Sequence, residues 1–159
     1  GRGNDTLFMA QLVGESGHVT AFDIQQDAVD STKKLLEENG VSHRADVLLK
    51  SHSEMDALFD EGSVSCITFN FGWLPKGDHS VSTKKETSIE AIEKGLRLLK
   101  KDGIMTLIIY YGRDTGFEER DAILEYLPTI DSEKYTVLEM PFVNRPNCPP
   151  IPIIIMRDE

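Results

Sequence analysis

Long apolar runs are missing from this chain: nowhere do about 18 apolar residues follow one another, so the sequence offers no membrane-spanning helix. No charged-then-apolar leader of the secretory kind stands at its start, and the cytoplasm is the expected compartment. Cysteine is scarce. Cys66 and Cys148 lie far apart and neither has a Cys-x-x-Cys partner, so neither a zinc site nor a disulfide framework is indicated, and Cys66 reads as a packed thiol. Positive charge is short as well: 17 Lys and Arg against 27 Asp and Glu leave a net charge of −10. That balance argues against a general nucleic-acid coat, because phosphate binding usually needs a basic face. A small local patch from Lys84, Lys85, Arg113 and Arg145 stays open. There is no internal repeat, low-complexity tract or Ser/Gly-rich linker, so the 159 residues, 40% of them apolar, read as one domain with one core.

What the chain does have is alternation. His18–Asp23 reads as a strand, and Asp27–Asn39 as a helix with Ala28, Val29, Thr32, Leu35 and Leu36 on one face and Gly40 as its stop. Ala45–Lys50 is the next strand, followed by a short helix near Met55–Phe59, the apolar strand Val64–Phe69 and a loop Asn70–Ser80. A long helix then runs to about Lys100 on Ile89, Ile92, Leu96 and Leu99, Asp102-Gly103 turns into the strand Ile104–Tyr110, and Phe117–Leu127 is the last helix. Strands this apolar, alternating with helices, imply a largely parallel sheet covered on both faces. The end breaks the rhythm. Tyr135–Met140 and Ile151–Met156 are strands separated by a proline-rich loop too short for a crossover helix, which predicts an antiparallel insertion. The opening is also unusual: Gly1-Arg2-Gly3 is a glycine-rich turn of the kind that follows a strand, so the expectation is that a strand precedes Gly1 in the natural protein.

Two segments point to chemistry. Glycines in GRGNDT permit close backbone approach just before a helix start, and Asp23, twenty residues after Gly3 at the end of the next strand, is placed to accept both hydroxyls of a ribose. Together they predict an adenosine-containing ligand; the alternative is that Asp23 only caps the following helix. Asn70-Phe71-Gly72-Trp73-Leu74-Pro75 follows a strand at the carboxyl edge of the sheet, and is similar to the Asn/Asp-Pro-Pro-aromatic loop of amino-group methyltransferases. There the plain alternative is a strand-to-helix turn with Trp73 as core.

Six segments in order, GRGNDTLFMA, FDIQ, Ser51-His52, FNFGWLPKGDHSVST, YYGRDTGFEE and NRPNCPPIPIII, resemble the bacterial rRNA methylase family across essentially the whole chain. Its members are class I S-adenosylmethionine-dependent methyltransferases, and the better-understood ones methylate the aminomethyl group on the wobble uridine of certain tRNAs. The resemblance implies a Rossmann-like α/β fold with a seven-stranded, mostly parallel sheet, an antiparallel last strand and helices on both faces. It implies a cofactor, S-adenosylmethionine, with S-adenosylhomocysteine as product. Gly1, Gly3, Asn4, Asp5 and Thr6 would surround its methionine end, Asp23, Ile24 and Gln25 its ribose, and Ser51 and His52 its adenine. Asn70 and Gly72 would face the sulfonium methyl, with Asn70, Asp78 and His79 as the catalytic set. Trp73, Tyr111, Arg113, Asn144 and Asn147 would line the substrate side, although Arg113 stands where the family has a histidine after Tyr-Gly. The implied partners are the anticodon stem-loop of tRNA and a second copy in a homodimer, with no membrane; methyl transfer from a sulfonium requires no metal. A small-molecule N- or O-methyltransferase shares every cofactor feature and suits the negative charge better. A non-catalytic subunit that keeps the fold is a third class, against which the intact Asn70 segment and Asp23 argue.

Overall fold

The computed structural model describes residues 2–72, 85–112 and 116–159. They group into two compact units, Gly1–His52 and Ser53–Glu159.

In the first unit, α1 (Asn4–Leu12) leads to β1 (Val19–Asp23), α2 (Gln26–Glu38) and β2 (Ala45–Leu49). β1 and β2 are parallel, with Val19 opposite Ala45 and Asp23 opposite Leu49. The predicted face of α2 is the one that packs: Ala28, Val29, Thr32 and Leu36 are buried, and Leu35 is half-buried at the rim. Val29 and Leu36 join Ala10, Val41 and Val47 in one cluster backed by Leu7, Val19, Ala21 and Ala45. Burying a side chain of that size is worth about 1.5–3 kcal/mol. Gly40 ends the helix as expected, with its N–H on the carbonyl of Glu37 and the Val41 N–H on that of Leu36.

The second unit holds β3 (Val64–Phe71), α3 (Lys85–Leu98), β4 (Leu99–Ile109), α4 (Phe117–Tyr126), β5 (Tyr135–Glu139) and β6 (Ile151–Arg157), with strand order β3-β4-β6-β5. β3 and β4 are parallel, whereas β6 runs antiparallel to both β4 and β5, so the predicted antiparallel last strand beside Ile104–Ile109 is observed. Side-chain alternation sorts this sheet into two faces. Phe69, Phe71, Met105, Leu107, Ile109, Ile153 and Ile155 are buried on one, where α3 lies so close that a Cβ on Gly95 would meet the Met105 methyl at 2.6 Å. Ile104, Thr106, Ile108 and Ile154 on the other face are half-buried, and Thr68 and Asn70 are exposed.

Several boundaries differ from the sequence expectation. β3 runs two residues further, to Phe71, because that ring is 1% exposed and stacks on Phe69 at 5.1 Å. Asn70 therefore sits on a strand and not in a loop. α3 stops at Leu98, since Leu99 is fully buried and pairs with Val64; the ladder then shifts across Lys100–Gly103, with Asp102 at φ 60, before Ile104 pairs with Cys66. The helix expected near Met55–Phe59 is a 3-10 turn over His52–Ala57. α4 closes at Tyr126 into a 3-10 turn over Leu127–Thr129, because Pro128 has no N–H to continue an α-helix.

Candidate functional site

Gly3 is dictated by its surroundings. It is the N-cap of α1 at φ 84, and a Cβ there would lie 2.8 Å from both Cα and Oγ1 of Thr32 on α2. Only glycine combines that backbone with that approach. Gly3 brings no side chain to the cap, and Asn4, Asp5 and Thr6 form the first turn of α1, whose N–H groups helix geometry leaves without an acceptor inside the helix.

Asp23 ends β1 with its main chain fixed by β2, through the Lys50 N–H to its carbonyl at 3.1 Å. Its Oδ1 accepts the N–H of Gln25 at 2.9 Å. Gln25 is the N-cap residue of α2, so this bond orders the strand-to-helix turn. Next to it Ile24 is 63% exposed, and Leu49, opposite Asp23 on β2, is 50% exposed. Two apolar side chains in water beside a fixed carboxylate suit a ligand that is part ring and part ribose. Ser51 and His52, just past β2, are half-buried.

In the second unit the carboxyl ends of β3 and β4 come together. Asn70 pairs with Ile108, and the Tyr110 N–H donates to the Phe71 carbonyl at 2.9 Å. Gly72 follows at φ 114, and a Cβ there would stand 2.6 Å from the Tyr110 oxygen; its main chain fits against Tyr110 only as glycine. The Tyr111 ring is held by α4: the Arg120 guanidinium carbon lies 4.6 Å from its centre and Phe117 meets it edge-on at 5.7 Å. Asp121 Oδ1 holds Arg120 Nε at 2.7 Å. Gly112 abuts Cys148, whose Cβ would be 3.2 Å from a Cβ added to that glycine. That contact brings Asn147, at φ 65, to the same edge as Tyr111; Asn144, three residues earlier in the exposed segment, belongs to the same loop. Burial pushes the Cys66 thiol up, in keeping with a packed cysteine.

Of the residues expected from sequence, Gly3, Asn4, Asp5, Thr6, Asp23, Ile24, Gln25, Ser51 and His52 fall in the first unit, and Asn70, Gly72, Tyr111, Asn144 and Asn147 in the second. Gly1, Trp73, Asp78, His79 and Arg113 lie outside the described residues. Sequence reasoning missed Gly112, Arg120 and a buried pair in which Ser88 Oγ donates to Glu119 Oε1 at 2.5 Å between α3 and α4. The spacing of Phe117 and Arg120, one helical turn apart, is the signal that would have found Arg120. An acidic residue in a helix's first turn ordinarily reads as a dipole partner, which hides the burial of Glu119.

The family model described as "Putative rRNA methylase" matches residues 19–156, and the chain belongs to that family. A crystal structure of a putative rRNA-methylase from Clostridium thermocellum is 46% identical, with a TM-score of 0.95 over 99% of this chain and 84% of that one. A putative methyltransferase from Streptococcus mutans, solved in complex with SAH, is 31% identical with a TM-score of 0.87, again over 99% and 84%. The fold is thus the Rossmann-like fold of these methyltransferases, with a mixed sheet. Among curated proteins, the chloroplastic tRNA (mnm(5)s(2)U34)-methyltransferase of Arabidopsis thaliana is 32% identical over 167 residues, which take in 99% of this chain. The chain spans 61% of that relative's length.

Proposed function

We propose that this protein is an S-adenosylmethionine-dependent N-methyltransferase that acts on RNA, methylating the 5-aminomethyl group of 2-thiouridine at the tRNA wobble position. The observation that carries the reading is the end of β3, where an exposed Asn70 stands two residues before Gly72, whose left-handed backbone lies against Tyr110. An amide oxygen and backbone carbonyls are the kinds of acceptor an amine requires. The activity printed for the plant relative supports the same substrate.

The cofactor fits the residues present. The Gly3 turn opens α1 with no side-chain cap, and Asp23 offers a fixed carboxylate beside the exposed Ile24. Bound S-adenosylmethionine supplies an electrophilic methyl on sulfur. The protein's own task is alignment, which brings the amine to within about 3 Å of that carbon on the line of displacement. An alkylamine has a pKa of about 10, so it must arrive or become neutral. In this reading Asn70 and the Gly72 carbonyl orient the amine, Asp78 and His79 take its proton towards solvent, and Trp73, Tyr111, Arg113, Asn144 and Asn147 line the nucleotide. Gly1, Asn4, Asp5, Thr6, Gln25, Ser51 and His52 complete the cofactor side. The same reading makes residues 1–159 one methyltransferase domain and gives the complete protein a seven-stranded sheet, a homodimer as its assembly and a cytoplasmic location.

The net charge of −10 favours a second reading, a small-molecule N- or O-methyltransferase. Labelled cofactor separates the two. Incorporation into bulk tRNA from cells lacking the modification supports the first; incorporation into a metabolite mixture, with tRNA left unlabelled, replaces it with the second.

A further inference from the structure

A chain this acidic has few places where RNA phosphates can approach. Residues 140–157 form the longest stretch of the sequence without Asp or Glu, and residues 140–148, between β5 and β6, are exposed throughout. Within this loop Phe142 is 48% exposed and Val143 98% exposed, and Arg145 is the single charged group. Pro141, Pro146, Pro149 and Pro150 stiffen it, and Asn147 and Cys148 both adopt positive φ. Such a loop holds its aromatic ring in water with less ordering still to be lost on binding.

The place of the loop matters as much as its composition. Its first foot is tied where Met140 N–H donates to the Pro152 carbonyl at 2.9 Å. Its second foot enters β6 at Ile151, opposite Ile109, and Cys148 packs on Gly112. Both feet therefore stand at the carboxyl end of β4, the edge that also carries Gly72 on Tyr110.

We infer that the Met140–Pro150 loop is an RNA-binding platform, with Phe142 and Val143 stacking an unpaired nucleotide of the substrate and Arg145 meeting a phosphate beside it. This rests on the tRNA reading above and deepens it, because none of these three side chains belongs to the expected catalytic or acceptor-lining set. Aromatic rings stack on any base, and an acid-free cationic loop is the surface on which an otherwise repelled polyanion settles.

The test uses the full chain, Phe142→Ala, Arg145→Ala and the double variant, with a fluorescent unmodified anticodon stem-loop RNA as probe and tRNA methylation measured in parallel. Each single change should weaken RNA binding about tenfold and raise KM for tRNA to match, with kcat and the affinity for S-adenosylhomocysteine within about twofold of the parent. Arg145→Ala should also lower the slope of log affinity against log salt by about one. Lys33→Ala, an exposed cation on α2, should change none of these. RNA binding by the double variant equal to the parent's overturns the inference while leaving the tRNA reading intact. RNA binding that is lost in the double variant, in a protein that methylates no tRNA, keeps the platform and removes that reading. Loss of a dimer in Phe142→Ala, with RNA affinity unchanged, assigns the loop to a second copy and also overturns it.

Discussion

The two units of this molecule order their proposed site residues by different means. In residues 2–52 the proposed cofactor side rests on main chain: a left-handed glycine pressed on Thr32, a helix start without a side-chain cap, and one carboxylate that accepts the Gln25 amide. In residues 53–159 it rests on side chains gathered from separate places in the sequence, with Asn70 from β3, Tyr111 from the end of β4 under Arg120 of α4, and Asn147 carried in by the contact of Cys148 with Gly112. A main-chain site tolerates almost no change at its glycines yet is indifferent to most side chains around it. A gathered site should lose one function at a time.

The largest effect that this contrast predicts is at Gly3. Alanine there incurs roughly 1–2 kcal/mol for a left-handed backbone and a further 1–3 kcal/mol for overpacking against Thr32. Thermal unfolding and calorimetry should show Gly3→Ala losing stability and cofactor affinity together; an unchanged melting temperature would mean that α1 and α2 can separate without cost. Next comes Asp78→Asn, which should reduce methylation of aminomethyl-uridine tRNA by about 100-fold or more and leave cofactor affinity nearly unchanged. Asn70→Ala should instead reduce turnover and disturb cofactor binding together. Full tRNA methylation by Asp78→Asn would leave backbone carbonyls and water as the proton's route. Asp23→Ala should weaken S-adenosylhomocysteine binding by about 1.5–3 kcal/mol in calorimetry without unfolding the protein, and undiminished affinity would place the ribose elsewhere.

The smallest effect is a pH dependence confined to the second unit. Lys94 on α3 holds Glu90, Asp56 and the Ser53 carbonyl at 2.9, 3.1 and 2.6 Å, and its hydrogen bonds to Glu90 and then Asp56 raise its pKa. A raised folded-state pKa means that the stabilisation is complete below the unfolded lysine value of about 10.4 and disappears as pH climbs through the folded one. The stability gap between the parent and Lys94→Met should therefore hold at neutral pH and narrow in strong base. A gap that widens there would reverse the sign.

The same contrast explains what could be read from the sequence. Glycines followed at twenty residues by a strand-end Asp form a local pattern, so Gly3 and Asp23 were legible as a pair. The α2 face was legible because its apolar spacing follows the helical period. The antiparallel β6 was legible because eleven residues cannot carry a crossover helix. The strand character of Asn70 was not, since it depends on Phe71 finding a buried place beside Phe69 and Ile109. Nor was the early start of β4: Leu99 fits the apolar period of α3 as well as it fits the ladder, and only its pairing with Val64 decides between them. Arg120 over Tyr111 and Cys148 on Gly112 join residues that no local spacing connects. Resemblance named Tyr111, Asn144 and Asn147 as an expected acceptor side, while what holds Tyr111 and Asn147 in place became visible only in three dimensions.

The most direct measurement starts from a single tRNA that carries 5-aminomethyl-2-thiouridine at the wobble position, incubated with the protein and S-adenosylmethionine and digested to nucleosides for mass spectrometry. The wobble nucleoside should gain one methyl group on its amine, with S-adenosylhomocysteine released in equal amount. An unchanged wobble nucleoside, from a protein that binds S-adenosylhomocysteine and methylates a small amine or hydroxyl compound under the same conditions, would contradict the tRNA assignment.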